Sequence, residues 1–237
     1  MAGAETQTRS STAGLRLLGL IAALTPTPAL AGAWIAPEGG QEIWTNSFSV
    51  RGESAVVETQ AFLEEPFGER TSFVATPWVE SNYDTPDGWR AEAVVGLKRA
   101  IFRDDENVMA VQAGALWVSH PDAGCGEGGV EARWLGGHSF GGGSFLNLEA
   151  ASRALEHGCG GERFDVTAGY RPVDNWLAMG QVFLDLPRGA EETVKVQFSL
   201  VRFAESGYGV QLGLRLRVDD GAREPALVIG LWPRSGG

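Results

Sequence analysis

The chain has 237 residues, 33 of them glycine, with two cysteines, eight tryptophans and a formal net charge of −11. Glycine at about twice its average usage argues against long helices, and the acidic balance argues against a nucleic-acid partner, whose phosphates call for a basic surface. After residue 31 no stretch approaches the roughly 18 apolar residues that a membrane-spanning helix needs.

Residues 1–31 read as an export signal. Arg9 and Arg16 precede an apolar run over 17–24, broken only by Gly19. That run is too short to cross a bilayer as a helix but has the length of a signal-peptide core. Ala29-Leu30-Ala31 is a small-residue cleavage site that starts the mature chain at Gly32; an overlapping Ala31-Gly32-Ala33 would start it at Trp34. A retained N-terminal anchor helix is the alternative. The remainder, 32–237, is expected to form a single domain, with a charge of about −12 once Arg9, Arg16 and Glu5 are set aside.

From residue 41 the sequence alternates with period two and is punctuated by turn residues, which predicts about twelve strands. The first, over 41–51, puts Trp44, Phe48 and Val50 on one face and Thr45, Ser47, Ser49 and Arg51 on the other. The second, 55–64, sets Val57, Ala61 and Leu63 against Glu58 and Gln60, and the third spans 71–81. The fourth, 89–102, opposes Ala91, Ala93, Val95 and Leu97 to Arg90 and Glu92; the fifth, 108–119, carries Met109, Val111, Ala113, Ala115 and Trp117 on one face. In the sixth, 129–140, Val130, Ala132 and Trp134 face away from Glu131 and Arg133. The seventh, 144–153, opposes Leu146, Leu148 and Ala150 to Asn147 and Glu149, and the eighth, 163–171, opposes Phe164, Val166, Ala168 and Tyr170 to Arg163, Asp165 and Thr167. A ninth strand covers 176–186. The tenth, 193–203, sets Val194, Val196, Phe198 and Leu200 against Lys195, Gln197 and Ser199. The eleventh, 208–218, sets Val210, Leu212, Leu214 and Leu216 against Gln211, Arg215 and Arg217, and the twelfth covers 226–232. The third, ninth and twelfth alternate poorly.

These lengths suit strands that cross a membrane at a tilt. One face is apolar and often aromatic at its ends; the other carries charges. Apolar outside and polar inside is the pattern of an antiparallel, up-and-down transmembrane β-barrel. A closed sheet has no unpaired edge, and in hydrocarbon every backbone group must pair within the protein. With the first strand running outward, the turns at 103–107, 141–143 and 172–175 fall on the periplasmic side, and the generally longer loops 82–88, 120–128 and 154–162 fall outside. Cys125 and Cys159 then sit in neighbouring outer loops, and an exported chain with two cysteines is expected to join them as a disulfide.

The segments Gly32-Ala33-Trp34 with Pro37-Glu38-Gly39, 71–80, 129–140 with Gly136-Gly137-His138-Ser139-Phe140, and 165–172 together resemble a group of poorly characterised proteobacterial outer-membrane proteins. The resemblance covers most of the mature chain and implies a barrel in the outer membrane with no established reaction. Outer-membrane barrels typically finish on an aromatic residue, whereas here Trp232 is followed by 233–237.

Three constellations bear on function. Glu131, Arg133, Asn147, Glu149, Arg163 and Asp165, with Arg215 and Arg217, form the expected lumen-facing network; it either fills a narrow barrel or lines a path for a small solute. His138, Ser139, Ser144, Asn147 and Glu149 invite comparison with barrel lipid hydrolases, but adjacent His138 and Ser139 must point to opposite faces of a strand. His120, Asp122, Glu156 and His157 flank the cysteines, where solvated loop residues are a commoner arrangement than a metal site. The tryptophans are expected to form an interfacial girdle. The sequence therefore predicts a non-enzymatic outer-membrane barrel, a narrow channel or a structural or secretion-accessory protein, with no cofactor and no metal. Its expected partners are lipid and, during insertion, the barrel-assembly machinery. A soluble periplasmic barrel with its apolar face turned inward, binding an apolar ligand, is the alternative.

Overall fold

The computed structural model describes residues 32–81, 87–121, 124–189, 191–219 and 222–234. The expected signal (1–31), the greater part of the loop 82–88 and Asp122 lie outside the described residues. Twelve strands follow in chain order: β1 (Gln41–Arg51), β2 (Ser54–Pro66), β3 (Thr71–Ser81), β4 (Trp89–Arg103), β5 (Asn107–Val118), β6 (Gly128–Phe140), β7 (Ser144–Leu155), β8 (Gly160–Val173), β9 (Trp176–Pro187), β10 (Thr193–Phe203), β11 (Gly209–Asp219) and β12 (Ala222–Arg234). Each pairs antiparallel with its sequence neighbours. β1 also pairs with β12, placing Trp44 opposite Leu231 and Phe48 opposite Leu227, so the sheet closes into a barrel.

The wall follows from the alternation. Phe164, Val166, Ala168, Phe198, Leu212 and Leu214 are exposed on the outside, Phe198 at 68% and Leu214 at 67%. On the same strands Thr167, Gln197, Ser199 and Gln211 are buried. A wall that is apolar outward and polar inward is inverted relative to a water-soluble barrel, and it matches a protein whose outer solvent is hydrocarbon. The soluble alternative, which needs the apolar face inward, is overturned by this facing.

Two of the strands that alternate poorly share a cause. Leu177 and Met179 of β9 and Ala226, Val228 and Trp232 of β12 are buried, so these strands present apolar residues on both faces. In β3, Pro77 has no N–H to give, and the β2–β3 ladder has no partners there between Gln60↔Trp78 and Leu63↔Ala75.

Both chain ends of the barrel lie at one end, which we call the terminal end. At the other end, Cys125 between β5 and β6 and Cys159 after β7 form a disulfide with a Cα separation of 5.7 Å across 34 positions of sequence. It ties two loops that flank the β6–β7 pair. His157, at φ 63°, turns the chain within the short 3-10 segment Glu156–Gly158. At the disulfide end the connections are longer only where the sequence put 82–88 and 120–128; β1 and β2 are joined by a tight turn. Titration of the denatured, unreduced protein is expected to find no free thiol. Replacing both cysteines with serine is expected to cost at most about 3–4 kcal/mol, the chain-entropy value for a loop of this size. Two titratable thiols before reduction would rule the bridge out.

The girdle expectation holds for part of the tryptophan set. Trp44, Trp89, Trp117 and Trp176 are exposed on the outer wall near strand ends, whereas Trp134 is exposed there halfway along β6. Trp232 is instead 2% exposed, turned inward, and donates its indole N–H to Gln211 Oε1 at 2.9 Å. Trp78 lines the lumen, and Trp34 precedes the first strand and packs inside the barrel. Even-numbered positions of β3 and β12 face inward, and that register overrides the interfacial preference of the residue type.

Candidate functional site

The segment 32–40 does not hang from the terminal end; it enters the lumen there. Ala33 is 0% exposed and packs with Ala100, Val108, Ala110 and Leu135. Trp34 joins that cluster to a second one of Phe145, Leu177, Met179, Val201, Phe203 and Trp232, and meets the Phe145 ring edge-on at 6.5 Å. A side chain on Gly137 would collide with the Trp34 ring, so glycine in β6 makes room for the segment. Together these residues fill the lumen at the terminal end as an apolar plug.

Polar bonds hold the plug at fixed height. Lys98 of β4 is fully buried; its ammonium donates to the carbonyls of Gly32 (2.9 Å) and Trp34 (2.7 Å) and to Glu64 Oε2 (2.6 Å). The Phe62 ring lies 5.8 Å from the same ammonium. The Ala36 N–H donates to Glu64 Oε1 at 3.1 Å and the Ser72 hydroxyl to the same oxygen at 2.6 Å. The Ala33 N–H donates to Asn147 Oδ1 at 3.0 Å. Lys98 thus satisfies its three donors on two backbone carbonyls and a carboxylate, which lets a charge sit in a dry core.

Beyond the plug lies a cavity of about 580 Å³. Gly32, Leu135, Met179 and Trp232 form its floor, and Pro187 and Glu191 mark where it reaches the disulfide end. Its walls are charged and paired across chords of the barrel. Glu92 of β4 binds Arg153 of β7 at 2.8 Å and Arg163 of β8 at 3.0 Å. Glu58 of β2 binds Lys195 of β10 at 3.0 Å and Arg215 of β11 at 2.8 Å. Glu80 of β3 binds Arg51 at 2.8 Å and Arg217 of β11 at 3.5 Å. Near the floor, β8–β11 contribute a neutral belt: Gln181 Nε2 donates to the Thr167 hydroxyl, Gln197 Nε2 to Gln181 Oε1 and Ser199, and Gln211 Nε2 to Ser199.

The residues singled out from sequence all lie on this inner wall. Arg133 binds Glu131 (3.1 Å), Glu149 (2.5 Å) and Asp165 (3.4 Å), and Asn147 donates to Glu149 Oε1 at 2.8 Å. Arg163 reaches Asp185 at 2.9 Å as well as Glu92. Arg215 also meets the Ser47 hydroxyl. Sequence reasoning on adjacent strands missed the chord partners Glu58, Glu80, Glu92 and Arg153 and the plug anchor Lys98–Glu64. Glu58, Arg90, Glu92 and Lys195 were already visible on polar faces; which charge meets which was not. Among the described lining residues, Glu58, Glu80, Glu92, Glu149, Asp165, Asp185 and Glu191 face Arg90, Arg133, Arg153, Arg163, Lys195, Arg215 and Arg217, so this lumen is balanced although the chain is acidic.

The hydrolase constellation is not brought together. His138 Nδ1 lies 2.8 Å from Asn107 Oδ1, and its ring packs edge-on against Phe140, while Ser144 sits across the β6–β7 turn opposite Phe140. His138 instead belongs to the β4–β5 turn. There Asp104 Oδ1 accepts the backbone N–H groups of Glu106 (2.9 Å) and Asn107 (2.6 Å), which hold its carboxyl below the usual range. In the loops at the disulfide end, His120 Nε2 lies 3.4 Å from Asp87, and its ring meets Trp89 edge-on. Among the described residues no three His, Cys, Asp or Glu side chains converge as metal ligands.

No protein-family model and no curated protein sequence matches this chain. Among solved structures it is similar to the KdgM porin, at 6% identity and a TM-score of 0.58, covering 81% of this chain and 98% of that one. It is similar in the same way to the KdgM porin in complex with disordered oligogalacturonate, at 7% identity and a TM-score of 0.56 over the same shares. At these identities the likeness is one of fold: a closed barrel of outer-membrane type.

Proposed function

We propose that this protein is an integral outer-membrane barrel of a Gram-negative bacterium, a narrow non-enzymatic channel held shut by its own N-terminal segment. In this reading residues 1–31 are removed on export, 32–237 form the single barrel domain, the terminal end faces the periplasm and the disulfide-tied loops face outside. The resemblance of its opening Gly-Ala-Trp to proteobacterial outer-membrane proteins supports that setting. The observation that carries the proposal is the lumen itself: a polar cavity reaches the loop end and stops on the 32–36 segment. A lumen lined by balanced, paired charges favours small polar or zwitterionic solutes over ions of one sign. That preference differs from what an acidic oligosaccharide would ask of a channel. A purely structural barrel is the second reading, favoured by the density of the cross-lumen ion pairs. Both readings share lipid and the assembly machinery as partners.

Planar-bilayer recording separates them. The intact protein is expected to give small or no conductance, and a chain lacking residues 32–37, refolded in detergent, discrete open steps. A large, stable conductance from the intact chain contradicts closure by the segment. A truncated chain that is folded and silent contradicts the channel and leaves the structural reading.

A further inference from the structure

We propose that cleavage between Ala31 and Gly32 creates the group that completes the plug: an α-ammonium on Gly32 that docks on the Glu149 carboxylate inside the lumen. The proposal rests on the reading of 1–31 as an export signal and of 32–36 as a plug. Hydrolysis of that peptide bond consumes one water and leaves a carboxylate on Ala31 and an ammonium on Gly32.

The position of Gly32 is unusual for a residue at a processing site. It lies within the barrel, on the cavity floor, with its carbonyl bound to Lys98. Its φ is 64°, and a Cβ there would meet the Asn147 amide and the Glu149 carboxylate. The backbone nitrogen and a Cβ branch from the same Cα, so the nitrogen lies within about 5 Å of that carboxylate. At such separations an opposite charge interacts appreciably, and a free terminus can close the remaining gap.

The surroundings are short of positive charge. Arg133 is shared among Glu131, Glu149 and Asp165; Arg153, which also serves Glu131, is drawn off by Glu92; and Lys98, the other cation near Glu149, is paired with Glu64. A new ammonium beside Glu149 offsets that local deficit. In the precursor the nitrogen is a neutral amide, and the peptide before Gly32 must either share the charged cavity or keep Gly32 out of it. Maturation therefore adds a contact to the seated segment: the charge that completes the plug exists only once the signal is gone.

The geometry also distinguishes the two overlapping cleavage sites. A cut before Trp34 would discard Ala33, which is fully buried and bonded to Asn147, and the Gly32 carbonyl bound by Lys98. The cut before Gly32 keeps both.

Two measurements on protein purified from outer membranes test this without any conductance assay. N-terminal sequencing with intact mass is expected to find Gly32 first. A start at Trp34 overturns the inference and leaves export and plugging standing; an uncleaved chain overturns the export reading as well. An amine-reactive ester at near-neutral pH is then expected to label the α-amine of the folded protein about tenfold or more slowly than that of the denatured protein, the factor set by one net ion pair of ordinary strength. Glu149→Gln is expected to remove most of that protection. Equal labelling of folded and denatured protein, or protection unchanged in a folded Glu149→Gln variant, overturns docking on Glu149.

Discussion

Lys98→Met is expected to unseat the plug before it unfolds the barrel. The substitution leaves Glu64, which is 3% exposed, with only the Ser72 hydroxyl and the Ala36 N–H as partners, and strips the carbonyls of Gly32 and Trp34 of their donor. An uncompensated buried charge costs about 3–5 kcal/mol. The twelve-strand ladder does not depend on this site, so the cheaper response is local: the segment leaves the lumen and water reaches Glu64. The variant should therefore stay barrel-shaped in heat-modified gel migration, become cleavable by added protease within 32–40, and conduct where the intact protein does not. The double variant Lys98→Met with Glu64→Leu removes the orphaned carboxylate, and replacing a buried ion pair by apolar groups is often close to neutral. It should return most of the protease resistance. A single variant as resistant as the wild type, or a double variant no better than the single, would show that the apolar contacts of Ala33 and Trp34 alone hold the segment.

Much of the wall was legible in the sequence because hydrocarbon outside and charges inside force a period-two pattern. β1, β3 and β10 have the bounds expected from alternation, and the eight inward residues singled out lie on the inner wall. The illegible parts have physical reasons. The plug is a short irregular segment with no periodicity, and the cleavage pattern and resemblance carried by Gly32-Ala33-Trp34 do not place it in the lumen. Lys98 was hidden because its neighbours Gly96 and Ala100 on the same face are small and uncharged, so no polar stripe marks it. The same dry core blurs the alternation of β9 and β12, where Met179, Val228 and Trp232 point inward. Pairings such as Glu92–Arg163 and Glu58–Lys195 cross chords of the barrel. They depend on the barrel's closure and width, which no local pattern encodes.

The outer wall gives the second large effect. Leu214→Arg is expected to destabilise the folded barrel in lipid by about 2–4 kcal/mol, the cost of a lipid-facing Arg near the bilayer midplane. Leu214 stands halfway along β11, opposite Phe198 halfway along β10, and both are among the most exposed large apolar residues of the molecule. Neither end of the strand is close enough for a guanidinium to reach interfacial water without bending the wall or the bilayer. The matched control introduces the same side chain on the other face. Gln60 of β2 lines the cavity and is exposed to it, so Gln60→Arg places its charge in a wet, charge-balanced lumen, and its cost should stay within about 1 kcal/mol. Equilibrium refolding into thin-bilayer vesicles with urea measures both variants. The contrast is the point of the experiment, because both variants add one positive charge on the same arginine side chain, on opposite sides of the sheet. Equal costs would mean that the face bearing Leu214 does not meet lipid, and a reversed order would mean that the barrel carries its apolar face inward.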